Sequence, residues 1–262
     1  MRTPTFALRH VALVTRDLGR ILPFYRDALG FIARQPDART VTLHFSAGAP
    51  AIITFTADPA AVEPTERVVG LFHIALLVPD RPTLAAVLAR LIEHRQPIEG
   101  LSDHGVSEAL YLADPDGNGI EIYRDRPRAE WPMAGEQVAM VTRALDDRGL
   151  LRERPSPPPD TPLAHATFGH LHLSVSALAP ARKFYLNELG LAVRQDTYPN
   201  ALFLAADGYH HHVAVNTWGH PAPRGPQRLT GLAGFTAATS RVQAPRTLTD
   251  PDGNSVTLEP LS

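Results

Sequence analysis

Two groups suited to binding a cation stand in stretches otherwise built from apolar residues. His73 lies within Gly70-Leu-Phe-His-Ile-Ala-Leu-Leu-Val78, and Glu121 lies within Gly119-Ile-Glu-Ile-Tyr123. Burying an imidazole and an unpaired carboxylate is costly, and coordination of a metal gives the pair a reason to be there. Further histidines stand at His10, at His170 and in the run Tyr209-His-His-His212. Two imidazoles and one carboxylate leave open positions on a metal, the donor set of non-haem Fe(II) oxygenases. A histidine beside them would suit general acid–base work near neutral pH. The plainer reading makes His73 a hydrogen-bonded core residue, Glu121 a solvent-facing strand residue and the histidine run a surface feature with incidental metal affinity.

Bulk composition narrows the chemistry. The chain has 262 residues and no cysteine, which removes disulfides, thiolate metal sites, iron–sulfur clusters and a cysteine nucleophile and leaves 12 histidines as the softer ligands. Lys and Arg number 25 against 27 for Asp and Glu, so no positive excess points to nucleic acid or an anionic membrane. No leader-like or membrane-spanning apolar run is visible. The expected partner is a small molecule and the expected location the cytoplasm.

The elements that must carry these residues are read from two internal repeats. His10-Val-Ala-Leu-Val-Thr-Arg-Asp-Leu18 followed by Phe24-Tyr-Arg-Asp-Ala-Leu-Gly-Phe31 returns as His170-Leu-His-Leu-Ser-Val-Ser-Ala-Leu178 followed by Phe184-Tyr-Leu-Asn-Glu-Leu-Gly-Leu191. Each copy predicts an alternating strand, a short amphipathic helix and a glycine cap at Gly30 or Gly190. The register of Phe24, Tyr25, Phe184 and Tyr185 suggests core packing. The second repeat, Asp114-Pro-Asp-Gly-Asn118 against Asp250-Pro-Asp-Gly-Asn254, is turn chemistry that predicts a hairpin feeding a last strand. The expected fold is α+β, four βαβββ modules forming two paired half-barrels, with module four shortened. We assign modules one and two to an N-terminal domain, residues 1–126, and modules three and four to a C-terminal domain, residues 166–262. Between them, a connector over 127–165 is expected to hold a helix across Gln137 to Leu151 and a stiff tail, Ser156-Pro-Pro-Pro-Asp160.

The His…Phe-Tyr…Leu-Gly segment closed by Asp-Pro-Asp-Gly-Asn-Gly-Ile-Glu resembles the vicinal oxygen chelate superfamily, which includes glyoxalase I, the fosfomycin and bleomycin resistance proteins and extradiol dioxygenases. Tyr209-His-His-His212 and Asp103-His-Gly-Val-Ser-Glu-Ala-Leu-Tyr111 most resemble two-domain catechol 2,3-dioxygenases of the bacillary type. The resemblance covers nearly all of the chain outside the connector. It implies metal ligands on the first and last strands of a module, which selects His73 and Glu121. Module four has Gly234 and Thr257 at the matching positions, so one metal site is expected. The third ligand is His170 or His10. Within-domain pairing would select His10, whereas the histidine run of module three and a connector long enough for modules to exchange favour His170.

The same resemblance implies a mononuclear Fe(II) centre, with Mn(II) the alternative, acting on an aromatic diol and O2. His211 matches the acid–base histidine, and Tyr111, ten residues before Glu121, matches a tyrosine that contacts the bound phenolic oxygen. His104 and Trp218 are assigned to the substrate side together with His210 and His212, although strand alternation would aim the last two away from the face of His211. The loop that bears His104 is two residues longer than in the biphenyl-type enzymes. A glyoxalase-like isomerase or thiol transferase with another divalent metal, or a metal-free ligand-binding protein, are the competing functions. A homodimer or homotetramer is the expected assembly.

Overall fold

The computed structural model describes residues 4–159 and 161–261; Asp160, the end of the expected proline-rich tail, lies outside them. Each sequence repeat becomes one structural unit. Unit one runs β1 (Phe6–Thr15), α1 (Leu18–Leu22) continued by a π-helical turn (Pro23–Ala28), β2 (Ile32–Asp37), β3 (Thr40–His44) and β4 (Ile53–Ala57). Unit two runs β5 (Gly70–Leu77), α2 (Arg81–Glu93), β6 (Gly100–Asp103), β7 (Ser107–Ala113) and β8 (Gly119–Asp125). After the connector strands β9 (Met133–Ala134), β10 (Gln137–Val138) and β11 (Arg143–Ala144) and helix α3 (Asp147–Arg152), unit three runs β12 (Thr167–Ser174), α4 (Leu178–Asn187), β13 (Ala192–Gln195), β14 (Ala201–Ala205) and β15 (Val213–Asn216). Unit four is reduced to β16 (Gly231–Thr239), β17 (Arg246–Thr249) and β18 (Ser255–Pro260).

The sheets pair units across the two halves of the sequence. A seven-stranded sheet, in the order β17-β18-β16-β1-β4-β3-β2, joins unit four to unit one, and a nine-stranded sheet, β11-β6-β7-β8-β5-β12-β15-β14-β13, joins unit two to unit three. Both joints are antiparallel contacts between first strands, β1 with β16 and β5 with β12. Units of the same half are tied instead by a tyrosine and a turn. Tyr25 donates to Asp114 Oδ2 at 2.9 Å and Tyr185 to Asp250 Oδ2 at 2.8 Å. Both phenols are fully buried, and each aspartate also accepts backbone N–H groups of its own Asp-Pro-Asp-Gly-Asn turn. The two repeat motifs thus lock onto each other, which satisfies polar groups that burial would otherwise leave costly.

The connector departs from expectation. No helix spans Gln137 to Leu151; only Asp147–Arg152 is α-helical, started by Asp146, whose Oδ1 accepts from the Gly149 N–H at 2.8 Å. Upstream, the backbone bonds to the nine-stranded sheet instead: β11 pairs with β6, and Met140 N donates to Gln195 Oε1 at 3.1 Å. Val138 and Met140 are buried with Val106, Trp131, Ala201 and Phe203. Tertiary burial of these apolar side chains overrides a helical periodicity that local sequence alone suggested. Among the described residues no helix is long and apolar enough to cross a membrane.

Candidate active site

The site is built on the concave face of the nine-stranded sheet. Glu121 on β8 and His170 on β12 are both in register with Ala75 on the strand between them. Paired residues of adjacent strands point to the same face, so the carboxylate and the imidazole lean toward each other over a methyl group. His73, two residues earlier on β5, shares that face. His73 Nε2 and His170 Nε2 each lie 3.0 Å from Glu121 Oε2, and the two nitrogens are 3.3 Å apart. All three residues are buried.

Two glycines make this approach possible. A Cβ on Gly119, which is in register with His73, would stand 2.2 Å from the Phe72 carbonyl oxygen. Gly169 sits in a β-bulge just before His170, and a Cβ there would stand 2.1 Å from the Tyr123 hydroxyl. Bulges beside a site re-aim a side chain, and this one directs His170.

The electrostatics call for a cation. Burial pushes the Glu121 carboxyl up, but the facing His170 and His73 outweigh that and hold it well below the usual carboxylate range. Burial takes His170 the other way, down to about 4 against the pull of Glu121. Near neutrality the cluster therefore holds a buried carboxylate facing a neutral His170. Glu108 shows how this chain otherwise stabilises a buried carboxylate: Arg81, Arg124 and Arg126 all pair with it. Glu121 has no Arg or Lys ion-pair partner among the described residues. Two donors about 2.1 Å from one metal and at right angles would be about 3.0 Å apart, which is the spacing found. The three residues fit a divalent metal with open positions.

A cavity of about 410 Å³ opens over the cluster. His211 enters it from the loop before β15, its ring 3.9 Å from that of His170, and burial, with His170 and His210 adding, lowers its pKa well below the usual imidazole value. Tyr111, paired with Glu121 across β7 and β8, has its phenol raised well above the usual range by burial and by Glu121. His104 Nδ1 is 2.7 Å from the Val141 carbonyl, an acceptor only, so Nδ1 carries the proton and Nε2 accepts from the Tyr111 hydroxyl at 2.8 Å. Trp218, Phe72, Phe203 and Tyr198 form aromatic walls, and Met140, Val141 and Thr142 of the connector close one side. A second groove of about 770 Å³ meets this cavity at His73 and Tyr111.

The structure brings His73, Glu121, His170, His211, Tyr111, His104 and Trp218 around one cavity. His210 and His212 do not line it. The run lies before β15 rather than in it, so strand alternation does not apply there. His210 turns inward to His211 and Asp125, while His212 packs on Phe6 at a ring distance of 5.3 Å. His10 lies in the other sheet, hydrogen-bonded through Nε2 to Thr54 at 2.7 Å. Its register partner Thr236 corresponds to Ala75, and Gly234 and Thr257 occupy the places of His73 and Glu121. The second sheet therefore repeats the geometry without two of the ligands.

Sequence reading missed His172. It stands opposite His73, lines the cavity and meets Asn216 Nδ2 through Nε2 at 3.0 Å. Asn216 Oδ1 accepts the Trp218 N–H, which makes Nδ2 the donor and leaves His172 a neutral Nδ1–H imidazole; burial, then His73 and His170, lower its pKa well below the ordinary value. The two-residue step from His170 was the available signal.

The sequence pattern of the Glyoxalase/Bleomycin resistance protein/Dioxygenase superfamily matches residues 7–122. The chain is 44% identical over 236 residues to the catechol-2,3-dioxygenase of Bacillus subtilis (strain 168), covering 87% of this chain and 80% of that one. It is 30% identical over 138 residues to biphenyl-2,3-diol 1,2-dioxygenase 3 of Rhodococcus globerulus, covering 47% of this chain and 65% of that one. Among solved structures, glyoxalase I from Zea mays superposes with a TM-score of 0.56 at 14% identity, covering 97% of this chain and 92% of the other, a likeness of fold alone. The chain belongs to the glyoxalase, bleomycin resistance protein and dioxygenase superfamily.

Proposed function

We propose that the protein is an extradiol dioxygenase that opens an aromatic diol beside its hydroxyls, with His73, Glu121 and His170 holding one divalent metal, Fe(II) in preference to Mn(II). The observation that carries this reading is the convergence of Nε2, Nε2 and Oε2 within 3.3 Å of one another, beneath an aromatic-walled cavity. The name of the 44% identical relative supports it.

A metal in that place supplies the meeting point of the diol and dioxygen and makes the diol more acidic. The chain supplies the rest. His211, neutral by burial, takes a diol proton and is placed to return it to oxygen later in the reaction. Tyr111, donating to His104, keeps its oxygen lone pairs for a substrate hydroxyl. His172 is fixed as a donor by Asn216 and stands beside His73 as a positioning residue. Phe72, Phe203, Tyr198 and Trp218 hold the ring and exclude water.

The direct test is oxygen uptake by Fe(II)-reconstituted protein across a panel of catechols, with the yellow ring-fission product as readout. Uptake matched to product formation supports the reading; absence of uptake across the panel, with metal bound, would overturn it.

A further inference from the structure

His211 does not stand alone. Its Nδ1 is 2.8 Å from Nδ1 of His210, and Nε2 of His210 is 2.9 Å from Asp125 Oδ1. The three residues form a chain leading from the cavity to Asp125, whose side chain is 26% exposed. We propose that Asp125, acting through His210, sets the tautomer of His211 so that the nitrogen left for the cavity, Nε2, carries a lone pair.

A carboxylate only accepts, so the hydrogen bond to Asp125 requires a proton on Nε2 of His210, and we take this ring in its one-proton form. Nδ1 of His210 is then a lone pair. The 2.8 Å contact between two Nδ1 atoms needs one proton, and His211 must provide it. With its own proton on Nδ1, His211 has a bare Nε2. Were the chain to run the other way, with His210 donating from Nδ1, His211 would carry its proton on Nε2 and could not receive one from a bound diol.

The chain is held from several sides. Tyr209 donates to Asp125 Oδ1 at 3.2 Å, and its ring lies 4.0 Å from that of His210. The Trp131 ring meets His210 edge-on, at 5.2 Å. His210 is fully buried, so a buried ring with both nitrogens engaged has no freedom to invert. Asp125 and His210 are thus positioning residues: neither lines the cavity, and each acts through His211.

This inference rests on the reading of His211 as the acid–base residue, and its test separates the two. The full-length chain, loaded with diamagnetic Zn(II) and labelled with ¹⁵N-histidine, reports ring protonation by two-bond ¹H–¹⁵N correlation, with His211 assigned by comparison with His211→Gln. The expected result is a protonated Nδ1 and a bare Nε2 on His211. In Asp125→Ala that pattern is lost, and in the Fe(II) form kcat falls about 10- to 100-fold with KM for catechol and metal content little changed. Asp125→Asn, whose amide oxygen still accepts from His210, retains most of both. A His211 protonated on Nε2 in the wild type, or a tautomer unmoved by Asp125→Ala, overturns the proposal. A tautomer that moves in Asp125→Ala without any change in kcat upholds the assignment and refutes His211 as the base.

Discussion

Glu121 and His170 stand in register on opposite sides of Ala75, so two groups from strands that never touch meet over one methyl. The smallness of residue 75 is therefore a condition of the site. Ala75→Val keeps a strand-compatible apolar side chain but extends it between the ligand atoms. We expect a folded protein, destabilised by about 1–3 kcal/mol through overpacking, whose metal content after anaerobic reconstitution drops well below that of the wild type. Full metal content in this variant would show that the side chains do not converge over Ala75.

His211 touches the cavity but contributes no donor to the three-residue cluster. Replacing it with Gln should leave metal content and diol binding close to wild type while lowering kcat about 100- to 10,000-fold, the range for loss of general acid–base help. Steady-state oxygen uptake with a parallel metal assay checks this. An equal loss of metal would reassign the residue to coordination.

Among the described residues no Arg or Lys lines the cavity, and Glu99 is one of its wall residues. A neutral catechol, bare or alkyl-substituted, should be turned over with a kcat/KM at least about tenfold above that of a catechol bearing a carboxylate on the ring. An unpaired charge in such a site costs at least 1–3 kcal/mol. Competition kinetics between the two substrates reads the ratio directly, and a preference for the acid would point to a cation reaching in from the adjoining groove.

His212 offers a test of stability against pH. Burial lowers its pKa to about 4, and its Nδ1 accepts the Ala206 N–H, which requires the neutral ring. Because the folded value lies below the unfolded one, the unfolded chain takes up the proton first. Stability is unaffected above about pH 6.5 and is lost as the pH falls from there toward 4. His212→Asn keeps an acceptor at the place of Nδ1 and removes the titration. The fall in Tm between pH 7 and pH 5 should shrink by a few degrees in the variant, corresponding to about 1–2 kcal/mol. An identical fall in both proteins would contradict the assignment.

Much of this was legible in the sequence because the repeats put the same chemistry in the same place twice. His73 and Glu121 declared themselves as polar groups in apolar strands, and Gly234 and Thr257 marked the repeat that lacks them. The pairing of unit two with unit three was less accessible, since it depends on long-range contacts between β5 and β12 that local pattern does not encode. The helical periodicity of 137–151 misled for a related reason: Val138 and Met140 gain more by burying against Phe203 and Trp131 than a helix would gain in place. The assignment of His210 and His212 to the substrate side failed, whereas the expectation that they point away from the face of His211 agrees with their places; both lie in a loop, where contacts such as those of His210 with His211 and Asp125 set the direction of a side chain. Asp125 was beyond reach of sequence reading, as its link to His211 runs through a residue 85 positions away.

One imidazole, that of His170 and not that of His10, joins His73 and Glu121 in the proposed metal site. Anaerobic Fe(II) titration of the wild type beside His170→Ala and His10→Ala decides it. About one tightly bound ion per chain is expected in the wild type and in His10→Ala, with its loss in His170→Ala. Retention of the ion without His170, or its loss without His10, would contradict the site as described.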